Sequence, residues 1–300
     1  MSGRIIRSIP FGGSCTEDRG VKFLIAGFGY VGSALAAELV SDGHEVWGLR
    51  RRFTQAPEGV HTVEADLSLP SDLGQLPGAL DAVIYLASPG GSDDALYRAV
   101  YVEGTANLLA ALEAAGERPR RIFFASSTAV YGQHAGEWVD EESPTEPTHF
   151  SGKRLLEAEG QLRDCASASS IVRFGGIYGP RRTGLVDRVR TGVVQYRRGR
   201  YTNRIHRDDC VGVLRHLLAH PSPASLYLGV DCEPVDEQTL YNWLSGATGA
   251  PAPREAETPR GASPPARGGN KRCCNDRLLA SGYAFLYPTF RDGYAAVLAE

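Results

Sequence analysis

The sequence predicts an α/β fold, in which a doubly wound parallel sheet carries a smaller C-terminal lobe. Two observations lead to this fold class. Short apolar runs alternate with segments of helical periodicity over the first 174 residues, and a glycine-rich turn joins the first run to the first helix. Alternating strands and helices form parallel sheets with right-handed crossovers. We expect a flexible tail at 1–20, the sheet domain at 21–174, and a mixed lobe at 175–300 that sends segments back to the core.

Each element follows from its residue pattern. Short apolar runs suit buried parallel strands, which we place at 21–26, 45–49, 61–64, 82–86, 121–125 and 170–174. Apolar residues spaced three or four positions apart predict helices, which we place at 30–41, 95–115 and 152–166. A polar loop is expected at 133–150, and the proline- and glycine-rich stretch 251–269 is predicted to be a flexible excursion.

Composition narrows the class of protein. The 300 residues carry a net charge of −3, which does not point to nucleic acid as a partner. The six cysteines show neither C-x-x-C spacing nor an accompanying histidine cluster, a pattern typical of reduced thiols and not of a metal site. No apolar stretch reaches the ~18–20 residues that span a bilayer, and the N-terminus lacks the apolar region of a signal peptide. We expect a cytoplasmic protein that binds neither membrane nor metal.

A glycine-rich turn follows the first predicted strand. Gly27, Gly29 and Gly32 form the pattern G-x-G-x-x-G. The first glycine of such a turn allows a tight bend, the second lets the backbone approach a pyrophosphate, and the third lets helix and strand pack closely. Amide groups at the helix start then face the phosphate charge. We predict a Rossmann-type dinucleotide site, with a turn that binds nothing as the alternative. The predicted contacts are Gly27, Phe28, Gly29, Tyr30, Val31 and Gly32.

The end of the second predicted strand favours one nicotinamide dinucleotide over the other. Sites for NAD place an Asp or Glu there, on the ribose 2′-hydroxyl. Here the strand is followed by Arg50, Arg51 and Arg52, and guanidinium groups bind phosphate through a fixed fork of donors. NADP is therefore the expected cofactor, NAD is less favoured, and a solvated basic turn is the alternative. Asp66 and Leu67 are expected to bound the adenine pocket, although Asp66 can equally be an ordinary loop residue.

Further segments resemble the extended short-chain dehydrogenase/reductase superfamily, in its NAD-dependent epimerase/dehydratase branch. They follow the family's order over nearly the whole chain. The matching segments are 27–32, Asp66-Leu67, Leu86-Ala87, 126–132 (S-S-x-x-V-Y-G), 173–180 (R-x-x-x-x-Y-G-P) and 205–209. The resemblance implies a cofactor cleft lined by Leu86 and Ala87, and a hydride exchanged with a hydroxyl or carbonyl carbon of the substrate. It also implies a homodimer.

The chain departs from the family at the proton-transfer residue. By position, Ser127 matches the family's catalytic Ser or Thr, and Lys153 matches the Lys of Tyr-x-x-x-Lys, which holds the nicotinamide ribose. His149 stands where the family has Tyr, and no other tyrosine lies between Tyr131 and Tyr178. We expect His149 or water to supply the proton. The alternatives are a surface loop histidine beside a degenerate site, a solvated Lys153, and a Ser127 hydroxyl that only bonds to backbone.

The same resemblance places the substrate beside the C-terminal lobe. The stretch 181–207 contains nine arginines, which suits an anionic, nucleotide-sugar-like substrate, although a solvated basic face is the alternative. The chain is therefore expected to be an NAD(P)-dependent oxidoreductase or epimerase-like enzyme. The other hypothesis is an NADP(H)-binding sensor or scaffold that has lost turnover. The expected substrate contacts are Ser88, Thr128, Tyr131, Tyr178, Arg181 and Arg182.

Overall fold

A computed structural model describes residues 20–55, 57–257 and 269–300. The predicted N-terminal tail lies outside the described residues, apart from Gly20. The same holds for the middle of the predicted excursion, at 258–268.

A seven-stranded parallel sheet forms the centre of the molecule. Its strands are β1 (Lys22–Ala26), β2 (Glu45–Arg50), β3 (Val60–Glu64), β4 (Ala82–Tyr85), β5 (Arg121–Ser127), β6 (Ala168–Phe174) and β7 (Leu226–Gly229). They lie in the order β7-β6-β5-β4-β1-β2-β3, and every neighbouring pair is parallel. The strand order reverses between β1 and β4, and ligands of such sheets bind beyond the carboxyl ends of the strands at this point.

Helices cover both faces of the sheet, as the doubly wound fold requires. The helices are α1 (Tyr30–Ser41), α2 (94–114), α3 (Phe150–Asp164), α4 (Gly184–Arg190), α5 (Arg207–Ala219), α6 (Glu237–Thr248), α7 (Asp276–Ala280) and α8 (Phe290–Ala299). Leu35 of α1 and Leu214 of α5 share one buried cluster with Phe23 and Ile25 of β1. The opposite face is covered by α2 and α3. The predicted fold class is confirmed.

Two features of the sheet domain differ from the predicted elements. The helix predicted at 95–115 is interrupted by six residues of π-helix, Arg98–Glu103, between the α-helical segments Asp94–Tyr97 and Gly104–Ala114. The Tyr85 hydroxyl donates a hydrogen bond to the Val100 carbonyl within this segment. Strand β7 was not predicted individually; only a return of lobe segments to the core was expected. It pairs with β6 and returns the lobe to the sheet.

The C-terminal lobe has an apolar core of its own, which includes Val189, Leu240 and Phe290. Short two-stranded ladders complete it and tie it to the sheet domain. They pair Glu137–Val139 with Lys271–Cys273, Gly176–Tyr178 with Arg204–His206, Gln195–Tyr196 with Arg254–Glu255, and Tyr201–Thr202 with Val235–Asp236. One strand of the first ladder, Glu137–Val139, lies inside the segment 133–150 that was predicted to be only a polar loop. Short 3₁₀-helices lie at Pro70–Gln75 and Thr128–Val130.

Candidate dinucleotide and catalytic site

Two of the three glycines in the turn after β1 are required by steric contacts. Gly27 has φ +104°, and a Cβ at this position would lie 2.1 Å from the backbone nitrogen of Ala87. A Cβ on Gly32 would lie 2.6 Å from the Gly27 carbonyl oxygen. Both distances are far below a van der Waals contact, so no larger residue fits without moving backbone. The turn therefore packs tightly against the end of β4 and against its own helix.

Gly29 differs from the other two, because the space beside it is open. No heavy atom lies within 4 Å of the point where its Cβ would stand. Gly29 is the N-cap of α1 and offers no side-chain oxygen to the first turn, whose amides are therefore available to an anion. A diphosphate needs backbone amides and room for its oxygens, and this turn offers both. The residues present thus fit the dinucleotide that the pattern predicts.

The turn is anchored to the end of β2, where the arginines lie. The amides of Gly27 and Phe28 donate to the Leu49 carbonyl at 3.0 and 2.9 Å. The buried Phe28 ring covers Gly48 and lies 5.5 Å from the Phe53 ring, centroid to centroid. These contacts hold the glycine-rich turn and the basic end of β2 side by side.

A cavity of about 650 Å³ opens at this edge of the sheet. Most of the predicted cofactor residues line it, together with Ser88, which was predicted to contact substrate. The lining comprises Gly27, Phe28 and Gly29 of the turn, 49–52 at the end of β2, 65–68 after β3, Leu86, Ala87, Ser88 and Gly90 after β4, and Leu96, Ala99 and Val100 of α2. The lining does not include Tyr30, Val31, Gly32 or Lys153. The structure therefore brings the ends of four neighbouring strands around one space.

The charged groups of the cavity lie at its β2 and β3 side. Arg50, Arg51 and Arg52 are exposed, and the Arg50 guanidinium lies 5.6 Å from the centroid of the Phe53 ring. Asp66 accepts hydrogen bonds from the hydroxyl (2.7 Å) and amide (2.9 Å) of Ser68. The hydroxyl bond, with smaller help from the charge of Arg51, lowers the pKa of Asp66 below its ordinary value. Asp66 is thus an ionised acceptor that lies close enough to Arg51 for the two charges to interact.

The wall formed by α2 was not anticipated from the sequence. Ala99 and Val100 belong to the π-helical segment and reach the cavity together with Leu96. The π-helical segment is only six residues long, which is too short to show a period of its own within residues 94–114. Such segments are often found at functional sites.

Ser127 ends β5 and starts the 3₁₀ turn that follows. Its Oγ accepts a hydrogen bond from the Ala129 amide at 3.2 Å, which leaves the hydroxyl proton able to bond elsewhere. This turn packs on the start of α3, where a Cβ on Gly152 would stand only 2.4 Å from the Ala129 carbonyl oxygen. The two predicted catalytic segments therefore touch, although Ser127, His149 and Lys153 are not among the residues lining the cavity. Thr128, within the turn, is buried.

His149 is the N-cap of α3. Its Nδ1 accepts from the Ser151 amide at 3.2 Å and lies 2.8 Å from the Ser151 Oγ. A neutral imidazole that accepts at Nδ1 carries its proton on Nε2, so the cap selects one tautomer. Lys153 follows one turn later and is exposed, and its ammonium group forms no ion pair with any residue that the structure describes. The side chain of His149 thus has a structural role as a helix cap, whether or not it also takes part in catalysis.

Two tyrosines that were predicted to contact substrate are buried. Tyr131 is 1% exposed, its hydroxyl donates to the Asp140 carbonyl (2.7 Å), and it accepts from Arg173 (2.8 Å). Burial raises the pKa of Tyr131, and also that of Tyr178, which is 3% exposed. A tyrosine that exchanges protons needs a lowered pKa and an open hydroxyl. In this geometry both hydroxyls are enclosed and neither tyrosine lines the cavity, so neither offers the open hydroxyl of the family's tyrosine.

A buried ion pair lies behind the catalytic segments. Glu159 of α3 is fully buried and accepts two hydrogen bonds from Arg173 of β6, at 3.0 and 2.7 Å. The same carboxylate accepts from the Ser126 Oγ at 2.6 Å. Because Ser126 precedes Ser127 and Glu159 lies on the helix of Lys153, this pair fixes the end of β5 relative to α3. The sequence showed the charges but not their partners.

The arginines of the lobe are partly neutralised. Four of the nine between 181 and 207 pair with carboxylates: Arg190 with Asp187, Arg198 with Glu255, Arg200 with Glu237, and Arg207 with Asp208. These pairs reduce the charge that the stretch can offer to a substrate. Arg181 and Arg182 are exposed and have no carboxylate partner within the part of the chain that the structure describes.

Across the residues with a described placement, no group of three or more His, Cys, Asp or Glu side chains is arranged to hold a metal ion. Within the same ranges, no helix is both long and apolar enough to cross a membrane.

Comparisons with known proteins agree with this geometry. The model of the NAD-dependent epimerase/dehydratase family matches residues 23–220. Protein YeeZ of Escherichia coli (strain K12) is 31% identical over 217 residues, which cover 69% of this chain and 76% of that protein. The 3-diazoavenalumate denitrifying reductase of a Streptomyces species is 28% identical over 305 residues, covering 91% of this chain and 99% of the reductase.

A solved structure covers nearly the whole fold. It is described as an NAD-dependent epimerase/dehydratase from Methylobacillus flagellatus and is 40% identical in sequence. It superposes with a TM-score of 0.76, over 93% of this chain and 98% of that one. The similarity therefore includes the C-terminal lobe as well as the sheet domain.

Proposed function

This chain belongs to the NAD-dependent epimerase/dehydratase family, and from that premise we propose that it is an NADP(H)-dependent oxidoreductase acting on a small anionic substrate. It would move a hydride between the nicotinamide and a hydroxyl or carbonyl carbon. The observation that carries the proposal is the cavity that joins the open face of Gly29 to three arginines at the end of β2.

The preference for NADP rests on what stands at the end of β2. No Asp or Glu follows the strand before Glu58, so the residue that would bind a ribose 2′-hydroxyl in an NAD site is missing there. Arg50, Arg51 and Arg52 offer guanidinium forks to a 2′-phosphate instead. Asp66 is ionised on the same side of the cavity, after β3, and suits the amino group of adenine as an acceptor.

Three residues of the predicted catalytic segments would each have a different role in hydride transfer. A bound nicotinamide supplies or takes up the hydride. Ser127 would donate its hydroxyl proton in a hydrogen bond to the reacting oxygen, since its Oγ already accepts from backbone. Lys153 would bind the ribose hydroxyls with an ammonium group that no described carboxylate neutralises. His149, whose Nδ1 accepts the Ser151 amide, would polarise the same oxygen through Nε2–H, and water would deliver the proton.

The support for an anionic substrate comes from Arg181 and from the lobe's remaining unpaired arginines. They suit a phosphate or carboxylate group, as in a nucleotide sugar. The Streptomyces relative, which aligns over almost all of both chains, is named as a reductase. That name favours net hydride transfer to a substrate over a transient redox step.

Two observations at His149 favour a second function. His149 is engaged as a helix cap, and the family's tyrosine is absent. Such a chain would bind NADP(H) without turnover and serve as a sensor or scaffold.

The first experiment measures cofactor binding by fluorescence titration with NADPH and NADH. We expect NADPH to bind at least about 10-fold more tightly, because a charge-assisted bond to the 2′-phosphate contributes roughly 1.5–3 kcal/mol. Arg51→Ala should remove most of that preference while leaving NADH affinity nearly unchanged. Equal affinity of the wild-type protein for both nucleotides would refute the NADP assignment.

The second experiment separates the two functions. NADPH oxidation is followed with a panel of carbonyl compounds that carry a carboxylate or phosphate. Turnover that falls about 10²–10⁴-fold in Ser127→Ala supports the oxidoreductase. Tight NADPH binding without oxidation by any member of the panel, in the wild-type protein and in His149→Tyr, supports the sensor.

A further inference from the structure

We propose that Arg182, which comes from the C-terminal lobe, binds the diphosphate of the cofactor and not the substrate. This inference rests on the proposed function, because it requires a dinucleotide on the glycine-rich turn. It changes the role predicted from the sequence, where Arg182 was grouped with Arg181 as a substrate contact.

The lobe docks on the first residue of α1. Tyr30 directly follows Gly29, and its hydroxyl donates to the Pro180 carbonyl at 2.8 Å. The Arg182 guanidinium carbon lies 4.9 Å from the centroid of the Tyr30 ring, and that of Arg207 lies 5.4 Å from it. The loop of the lobe is thus attached to the helical turn whose amides are available to an anion.

The approach of this loop depends on its backbone. Gly179 has φ +145°, and a Cβ there would stand 3.0 Å from the Tyr30 hydroxyl oxygen. The Arg182 amide donates back to the Gly179 carbonyl at 2.9 Å, which closes the turn. Arg181, between them, has a φ of +61°, in the left-handed region that few non-glycine residues adopt. The turn is therefore shaped to place residue 182 against Tyr30.

Of the two guanidinium groups on the Tyr30 ring, only one has donors to spare. Arg207 is 16% exposed and forms an ion pair with Asp208 at 2.8 Å. Arg182 is exposed, and no carboxylate among the described residues pairs with it. A guanidinium that stacks on a ring keeps its N–H groups in its own plane, where they can bind a second partner. Arg182 is thus the group able to bind an added anion.

The charges around Tyr30 leave one cation without a partner. The Asp208 carboxylate neutralises Arg207, whereas Arg182 and the partial positive charge at the N-terminus of α1 have no anion among the described residues. A diphosphate seated on the α1 amides would supply one. The phosphate farther from the adenosine would meet Arg182, because the arginines of β2 bind the adenosine end.

The test uses full-length protein and two ligands that differ in their phosphates. NADPH contains the diphosphate, whereas 2′,5′-ADP has the 2′-phosphate and a single 5′-phosphate. We expect Arg182→Ala to weaken NADPH about 10- to 100-fold and 2′,5′-ADP less than about 3-fold. Arg51→Ala should weaken both ligands. The matched control is Arg118→Ala, which removes the same charge from an exposed position just before β5. This position lies at the amino ends of the strands, away from the cavity.

The outcomes separate this inference from the proposed function. If wild-type protein binds neither NADPH nor NADH, the proposed function fails before Arg182 is tested. If the wild type binds NADPH and Arg182→Ala binds it equally well, only the inference on Arg182 is overturned. An equal loss for NADPH and 2′,5′-ADP, or an equal loss in the control, would indicate a general charge effect and would also overturn it. Arg182→Lys, which keeps the charge without the planar fork, should fall between wild type and alanine.

Discussion

The two ends of the proposed cleft satisfy the family's pattern in different ways. At the glycine-rich turn, Gly27 and Gly32 stand where a Cβ would collide with backbone, and Gly29 stands where it would project into open space. At the predicted catalytic segment, Ser127 and Lys153 are the residues that we match to the family's pattern. His149 stands at the position predicted for the tyrosine, and its Nδ1 caps α3. By this prediction, one end is complete in every position of the pattern and the other is altered in one.

This difference shows what each end requires of the sequence. Binding a diphosphate depends on backbone shape, which glycine fixes through sterics alone. Hydride chemistry depends on which side-chain atom faces the substrate and in which protonation state. The first requirement is met by absence of side chains and the second by their identity, so the catalytic end can change while cofactor binding persists.

The largest expected effect tests the buried ion pair that lies behind the predicted catalytic segments. Glu159→Gln should lower the free energy of unfolding by about 3–5 kcal/mol, because it leaves the buried Arg173 guanidinium without its anion. The measurement is urea denaturation followed by circular dichroism. A loss below about 1 kcal/mol would show that the pair does not fix β5 against α3.

Glu157 on the same helix provides the matched control. It is 40% exposed and pairs with Arg154 at 2.6 Å, so Glu157→Gln should cost no more than about 1 kcal/mol. In the double variant Glu159→Leu/Arg173→Met, no buried charge is left unpaired, and much of the lost stability should return.

The next effect tests the cofactor end. Gly29→Asp should weaken NADPH binding by about 100-fold, or ~2.7 kcal/mol, because a carboxylate would occupy the space meant for the diphosphate and repel it. Thermal stability should change little, since no atom lies within 4 Å of the new Cβ. Gly27→Ala is the contrasting variant. It should lower Tm, because its methyl group would meet the Ala87 backbone at 2.1 Å.

An unchanged NADPH affinity in Gly29→Asp would place the cofactor elsewhere and remove the distinction between the two ends. A fall in Tm equal to that of Gly27→Ala would show instead that Gly29 has a packing role.

The sequence predicted the sheet domain well, because its elements are local and periodic. Six strands and the helix α1 lie within a few residues of the predicted positions. The family resemblance drawn from the motifs is confirmed as well. The contacts that define the site were harder to predict, since they join distant positions: the Tyr30 hydroxyl and the Pro180 carbonyl are 150 residues apart.

The burial and the hydrogen-bond partners of some side chains could not be predicted either, because they also depend on contacts that the motif does not contain. A motif gives the position of Tyr131 along the chain, but its burial depends on the Arg173 guanidinium that packs against it. The cap formed by His149 depends on the Ser151 amide two residues later, a pattern that matches many loop sequences. Such outcomes are decided by neighbours in space.

The smallest effect decides whether His149 serves structure or chemistry. His149→Ala removes the cap of α3 and should cost about 1 kcal/mol, measured as a lower Tm. His149→Asn keeps an acceptor for the Ser151 amide, so it should hold Tm near the wild-type value, but its side chain lacks an equivalent of Nε2–H at the same reach. If His149→Asn retains both Tm and NADPH oxidation, the histidine is a cap only. If it retains Tm while oxidation falls, Nε2 acts on the substrate, and the altered end of the cleft is a working one.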